Sequence, residues 1–339
     1  MRRLLIILLS IAFPAAAAGF VEADPGDVYD TFTFYWENDL FAKTDRYYTN
    51  GLKLTWSTPY QPGIDSPHLP EWSRTIIRKL PSMKGEGTSR SASIAVGQEI
   101  YTPADTQTGA LQPNDRPYAG YTYLETGFHG MMGNTRANWE LQAGVIGPLS
   151  RAEQATSLVH RTIGVALDKG WSHQLKNEPA LEAVTEYQWR FARENEESRF
   201  QFDFVTHLGG AFGNVRIYAN AGAEARFGRN LPSNFGTCPI RPGCESNTAD
   251  EAERSKRFGW HLFGAVDVRA VIRDIFLDGN TFRNSPSVRK NPVVADVTTG
   301  VAVEHGRFKA SYAYVLRTKE FRTQQHYHIF GSINISWTY

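Results

Sequence analysis

The chain of 339 residues is short of several things, and each shortage excludes a class of protein. It has two cysteines, Cys238 and Cys244, with five residues between them. Two thiols cannot close a four-ligand zinc site, and no histidine pair stands near to complete one. A close pair in an exported chain suits a small structural disulfide loop instead. Beyond the N-terminus no stretch reaches the roughly 18 apolar residues that a membrane helix needs. Charge of one sign is also missing. Lys and Arg number 36 against 35 Asp and Glu. Removing residues 1–18 takes away Arg2 and Arg3 and leaves 34 against 35. A near-neutral chain implies no nucleic-acid partner and no polybasic grip on lipid. There is no internal repeat and no low-complexity tract.

The N-terminus is basic, then apolar from residue 4 to 13, then small from 15 to 18. That order marks residues 1–18 as a secretory signal peptide, with a core too short to span a bilayer. Residues 19–339 then form one domain.

The last strand sets the fold class. Tyr327, Ile329, Ile333, Ile335, Trp337 and Tyr339 share one face, while His328, Ser332, Asn334, Ser336 and Thr338 share the other. Phe330 breaks the alternation. The same period of two recurs about twelve times. Phe32, Phe34 and Trp36 oppose Thr31, Thr33 and Glu37; Phe200, Phe202 and Phe204 oppose Gln201 and Asp203. Strands apolar on one side and polar on the other, aromatic at their ends, predict an all-β transmembrane antiparallel barrel of about 12 strands in a Gram-negative outer membrane. A mean hydropathy of −0.39 agrees, because half of each strand faces water. Charges on the lipid face would cost about 2–4 kcal/mol at mid-membrane, which keeps the alternation strict.

An even strand count puts both termini in the periplasm. The connections at 40–47, 102–118 and 147–178 then face outward. Two long inner connections, 58–89 and 228–258, remain where short turns are expected.

The third outer connection carries a helix. Ser150 and Glu153 have capping-box spacing, and helical periodicity runs to about Ala166. Ala155, Leu158, Val159, Thr162 and Ala166 fall on one face. Glu153, Thr156, Ser157, His160 and Gly164 fall on the other. The expected packing lays the apolar stripe on barrel or membrane and aims the histidine elsewhere.

Polar residues converge at the outer end. Asp39 continues the inward face of strand one, and Thr49 lies on the inward face of strand two by the same count. Alternation sends Asn38 outward, so it joins them only where the strand bulges or ends. A carboxylate, an amide oxygen and a hydroxyl suit Ca2+, and they equally suit a turn. His160 can act as a general base, since a neutral imidazole takes a proton at neutral pH. Ser157 lies one turn from His160, without a Gly-x-Ser-x-Gly context.

These pieces resemble a known family, the outer-membrane lipid A 3′-O-deacylases. The matching runs are Glu37-Asn38-Asp39, Tyr48-Thr49-Asn50-Gly51-Leu52, QEIYTP at 98–103, DRPYAG at 115–120, GVIGP at 144–148, HRTIG at 160–164, GWSHQLKNEP at 170–179 and GNTF at 279–282. They occur in family order over most of the mature chain. The resemblance implies a twelve-stranded monomeric barrel whose site faces the outer leaflet. It implies Ca2+-dependent hydrolysis of the ester holding the 3′ acyloxyacyl group, with lipid A or lipopolysaccharide as partner among outer-membrane lipids. By position, His160 activates water, Asn38 and Asp39 organise the site with Asp39 on the metal, and Thr49 is a further site residue. Where some members have Gln and Glu flanking the histidine, this chain has Thr156 and Ala166. Asp168 and Glu178 are the candidates to substitute. Lys43, Arg46, Arg116 and Arg161 are candidate phosphate contacts from charge alone. Two other readings stay open: an outer-membrane phospholipase-like Ser/His esterase, and a non-enzymatic pore or adhesin.

Overall fold

The structure is a computed structural model that describes residues 29–39, 47–192, 199–237, 240 and 258–339. The proposed signal peptide, both cysteines, Lys43 and Arg46 lie outside the described residues.

Twelve antiparallel strands close into a barrel. They are β1 Thr31–Asn38, β2 Tyr47–Ser57, β3 Ser89–Thr102, β4 Ala119–Met132, β5 Thr135–Ile146, β6 Glu178–Ala192, β7 Gln201–Gly213, β8 Arg216–Arg229, β9 Gly259–Asp274, β10 Val293–His305, β11 Phe308–Arg317 and β12 His328–Thr338. The last strand pairs with the first, Thr31 opposite Thr338 and Trp36 opposite Ile333. Closure leaves no free edge, as a strand in hydrocarbon requires. No helix among the described residues is long and apolar enough to cross a membrane.

The alternation falls as predicted. Leu124, Leu181, Phe202, Leu262 and Val297 stand exposed on the outer face. Thr31, Thr33, Lys53 and Glu125 are buried on the inner one.

The lumen is lined with paired charges. Lys53 on β2 meets Glu125 on β4 at 2.7 Å, and Arg216 on β8 reaches across the barrel to Glu99 on β3. Asp296 takes both Arg269 and Arg317, at 2.7 and 2.8 Å. Removing one partner of such a buried pair costs about 3–5 kcal/mol, so these pairs lock the strands to one another. The cavity between Arg216, Arg269 and Arg317 measures about 60 Å³, room for a few waters.

Both long inner connections are real, and each has a physical reason. The first holds a short helix, α1 (Glu71–Ile77), and lies against the outer wall at the inner end. Leu69, Ile77 and Met83 pack there on Ala92, Phe128 and Ala137. Arg90 ties the segment down, its guanidinium donating to the carbonyls of Pro62, Met83, Gly85 and Thr88. The described part of the second, residues 230–237 and 240, turns up into the lumen. Arg226 donates to the Asn234 side chain and to the Pro232 carbonyl, Thr237 N–H donates to Glu224, and Ile240 N–H donates to Glu37 at 2.7 Å. It acts as a plug.

Candidate active site

The site is built on the outside of the wall. Asn38, Asn50, Ile100 and Gly120 stand opposite one another in register across β1 to β4. They lie on the lipid-facing side, in the row of Trp36, Leu52 and Leu124; the indole N–H of Trp36 donates to Asn50 at 3.0 Å. Asn38 therefore points outward, as strict alternation requires, and is buried all the same.

Thr49 departs from its expected place. A bulge between Tyr48 and Asn50 sets two residues of β2 against one of β3. It turns Tyr48 into the lumen, onto Tyr101 and Phe330, and delivers Thr49 outward. There its hydroxyl pairs with that of Thr102 at 2.7 Å. The expectation of an inward Thr49 is corrected, and the reason is the extra residue. Asp39, the residue after β1, is fully buried.

What covers the β3 and β4 end of this row is the connection after β5. Gly147 N–H donates to the Gly120 carbonyl at 3.0 Å. Gly147 has φ +90, and a Cβ there would meet the backbone of Lys176 and Asn177 within 2.7 Å. Residues 148–150 form a tight turn whose last carbonyl, that of Ser150, accepts from Gln98 at 2.7 Å and Thr122 at 2.8 Å. Helix α2 (Ala152–Ile163) follows. Ala152 and Ala155 pack with Ile100, Tyr118 and Trp171. A Cβ on Gly120 would lie 2.2 Å from that of Ala152 and from the Ser150 hydroxyl. Glycine is what lets the helix touch the wall.

Three expectations about α2 change. The Ser150–Glu153 capping box does not form; Ser150 donates back to the Gly147 carbonyl at 2.6 Å, and Arg151, with left-handed φ +60, precedes the helix. The helix stops at Ile163 because Gly164 takes φ +75. The apolar stripe divides, Ala155 going to the wall and Leu158 to the outside, and the histidine expected to point elsewhere is on the buried side. Ala152, Thr156 and His160, spaced by four, are buried, whereas Leu158 is 68% exposed. On the outside of a membrane wall the surroundings are apolar, so leucine faces away and the polar residues face in.

His160 is held from behind. Its Nδ1 lies 2.9 Å from the Ala166 carbonyl oxygen. A carbonyl can only accept, so Nδ1 carries the proton and Nε2 presents a lone pair. The left-handed Gly164 reverses the chain to bring Ala166 there, aided by Val165 N–H donating to the His160 carbonyl. The carboxylate of Asp168 approaches Nδ1 to 3.7 Å, with its side chain 1% exposed. That is beyond hydrogen bonding but close enough to stabilise a positive ring. Asp168 was foreseen as a substitute metal ligand, not as a companion of the histidine.

The other candidates are placed elsewhere. Glu178 accepts from Asn214, Asn280 and the N–H of Thr281, anchoring the connection after β9. Arg116 is fully buried in the barrel mouth, 3.0 Å from Glu320 and stacked over Tyr101. Arg161 is exposed on α2. No hydrogen bond joins Ser157 to His160 among the described residues. A serine–histidine relay does exist, though far from α2. Ser93 Oγ lies 3.0 Å from His129 Nε2, whose Nδ1 lies 3.0 Å from Asn138 Oδ1. All three are buried in the lumen near its inner end.

As to a metal, no group of three or more His, Cys, Asp or Glu able to hold one occurs among the described residues. Hard oxygen donors are available in the Asp39 carboxylate, the Asn38 amide, and the buried Thr156 hydroxyl, which has no hydrogen-bond partner among the described residues. That donor type fits calcium, with little charge and so modest affinity.

A family model described as outer membrane protein LpxR matches residues 4–339. Among solved structures, LpxR from Salmonella typhimurium is similar with a TM-score of 0.71 and 19% identity, covering 91% of this chain and 100% of its own. The β domain of the Bordetella autotransporter BrkA scores 0.44 at 9% identity, covering 92% of this chain and 99% of its own. No protein of curated function matches the sequence.

Proposed function

The chain belongs to the LpxR family of outer-membrane lipid A 3′-O-deacylases, and on that premise we propose that it hydrolyses the ester holding the 3′ acyloxyacyl group on lipid A, with Ca2+ as cofactor. It is an integral barrel of the Gram-negative outer membrane. The observation that carries the proposal is the hydrogen bond from His160 Nδ1 to the Ala166 carbonyl, which leaves Nε2 as a base on the wall side of α2.

Water attacks the ester carbonyl carbon while its proton passes to His160 Nε2. The ring becomes positive, and Asp168 offsets that charge at 3.7 Å. Asn38 donates its side-chain amide to the developing oxyanion. The tetrahedral centre collapses, the sugar oxygen leaves, and Nε2 returns the proton to it. Thr49 and Thr102 form the hydroxyl-lined floor beside Asn38. Calcium held by Asp39, with Asn38 and Thr156 oxygens, would polarise the ester carbonyl. The row from Asn38 to Gly120 lies on the lipid side of the wall, so acyl chains reach α2 without leaving the membrane.

The purified barrel, given phosphorylated lipid A in detergent, releases the acyloxyacyl acid in Ca2+ and stops in chelator. Full activity in chelator overturns the calcium assignment.

The Ser93–His129–Asn138 relay favours one competing reading, a serine esterase. Its burial in the lumen argues for a structural role, and Ser93→Ala separates the two. The deacylase reading expects turnover within about twofold of wild type; abolition favours the serine enzyme.

A further inference from the structure

Two connections at the barrel mouth, 279–292 and 318–327, carry charge of nearly one sign. They hold Arg283, Arg289, Lys290, Lys319 and Arg322 against one acid, Glu320. Glu320 is buried and taken by Arg116. Lys290 is taken by Asp278 at 2.8 Å. Arg283, Arg289, Lys319 and Arg322 are exposed, and none has an ion-pair partner among the described residues.

The connections are sewn into a short ribbon. Arg322 N–H donates to the Arg289 carbonyl at 2.9 Å, Asn291 N–H to the Glu320 carbonyl at 2.7 Å, and Lys290 bridges Phe321. That register sets Arg289 directly opposite Arg322, with Cβ atoms about 5 Å apart. Phe321 on the alternate face is 1% exposed and seated on Tyr47 and Leu277. The face with the two arginines is therefore the outer one. Like charges directly opposed weaken a ribbon, so this pair is not explained by stability.

Its height points to what it meets. Val293, 56% exposed on the lipid side, opens β10. Arg289 stands four residues before it, past a bend at Pro292, in the connection between β9 and β10 on the outer side. The outer connections of such a barrel rise beyond its apolar band, to the level of lipid headgroups. Phe282 and Tyr327, both more than half exposed, lie in the same connections, as aromatics do at a membrane interface.

We propose that Arg289 and Arg322 form a clamp for a phosphate of outer-leaflet lipopolysaccharide, separate from the site under α2. Two guanidinium forks match a phosphate bidentately, which lysines would not. The clamp lies four strands round the wall from β3, roughly 19 Å before tilt is counted. The inference depends on the outer-membrane location, not on the deacylase reading.

The test is binding of lipid A by the full barrel in zwitterionic detergent, with the deacylation assay run alongside. Wild type is expected to bind lipid A bearing both phosphates at least about tenfold more tightly than lipid A stripped of them. Arg289→Gln/Arg322→Gln should lose that preference while folding normally on a heat-shift gel, and Arg283→Gln should keep it. Low-millimolar inorganic phosphate should not compete. Equal binding by wild type and the double variant, no preference for phosphate, or displacement by free phosphate each overturns the clamp. If wild type binds and discriminates yet releases no acid, the deacylase reading fails and the clamp stands.

Discussion

Asp168→Asn isolates the electrostatic part of the proposed mechanism. The substitution keeps the shape of the side chain and removes its charge. Asp168 sits 3.7 Å from the ring nitrogen and is screened from water, while the orienting hydrogen bond goes to Ala166 instead. The ring should thus keep its tautomer and position. What is lost is the attraction between carboxylate and the ring once it has taken the proton. At about 4 Å and an effective dielectric constant of about 20, two unit charges attract by about 4 kcal/mol. As an upper bound that is about a thousandfold in rate. The expected result is a fall of kcat by 10²- to 10³-fold with little change in KM, measured as acid released from lipid A at saturating substrate. Raising Ca2+ should not restore it, whereas a metal-ligand role for Asp168 predicts rescue by the ion. A kcat within about threefold of wild type refutes the reasoning.

Gly120→Val should lift α2 from the wall, because the new Cβ would lie 2.2 Å from Ala152. Overpacking of this kind costs about 1–3 kcal/mol, borne by the helix contact alone. Activity should drop at least tenfold while the barrel keeps its heat-shift mobility, and unchanged turnover contradicts the helix-on-wall site. Glu320 gives a pH signature. Burial pushes its carboxyl up, but Arg116 and Arg317 outweigh that and hold it down at about 2. A depressed carboxyl contributes stability that is fully present above its ordinary value near 4.5 and is lost as pH falls through about 2. Glu320→Gln should therefore lower the unfolding temperature at pH 7, and the gap to wild type should close towards pH 2; a gap independent of pH contradicts the pairing.

The barrel was legible in the sequence because hydrocarbon enforces the alternation: a misplaced charge among Phe200, Phe202 and Phe204 has no water to face. The site was legible as residues but not as a surface. Counting by twos placed Thr49 in the lumen, and only the bulge after Tyr48 reverses it. The count did send Asn38 outward, onto the face where the structure places it. On α2 the apolar stripe was expected against barrel or membrane and His160 elsewhere; Leu158 is exposed, as lipid outside allows, and His160 is buried. The Ala166 carbonyl is backbone and leaves no trace in composition. Asp168 becomes a partner of His160 only through the reversal at Gly164. The lumen-facing residues 232–237 and the wall-packed segment of the inner connections depend on contacts of Arg226 and Arg90, which no local pattern announces.

The most direct test of the central claim is mass spectrometry of lipid A from cells expressing wild type or His160→Ala, both folded in the outer membrane with Ca2+ supplied. The account predicts loss of a mass equal to the 3′ acyloxyacyl group in wild type alone. The same loss in His160→Ala, or none in either, contradicts it.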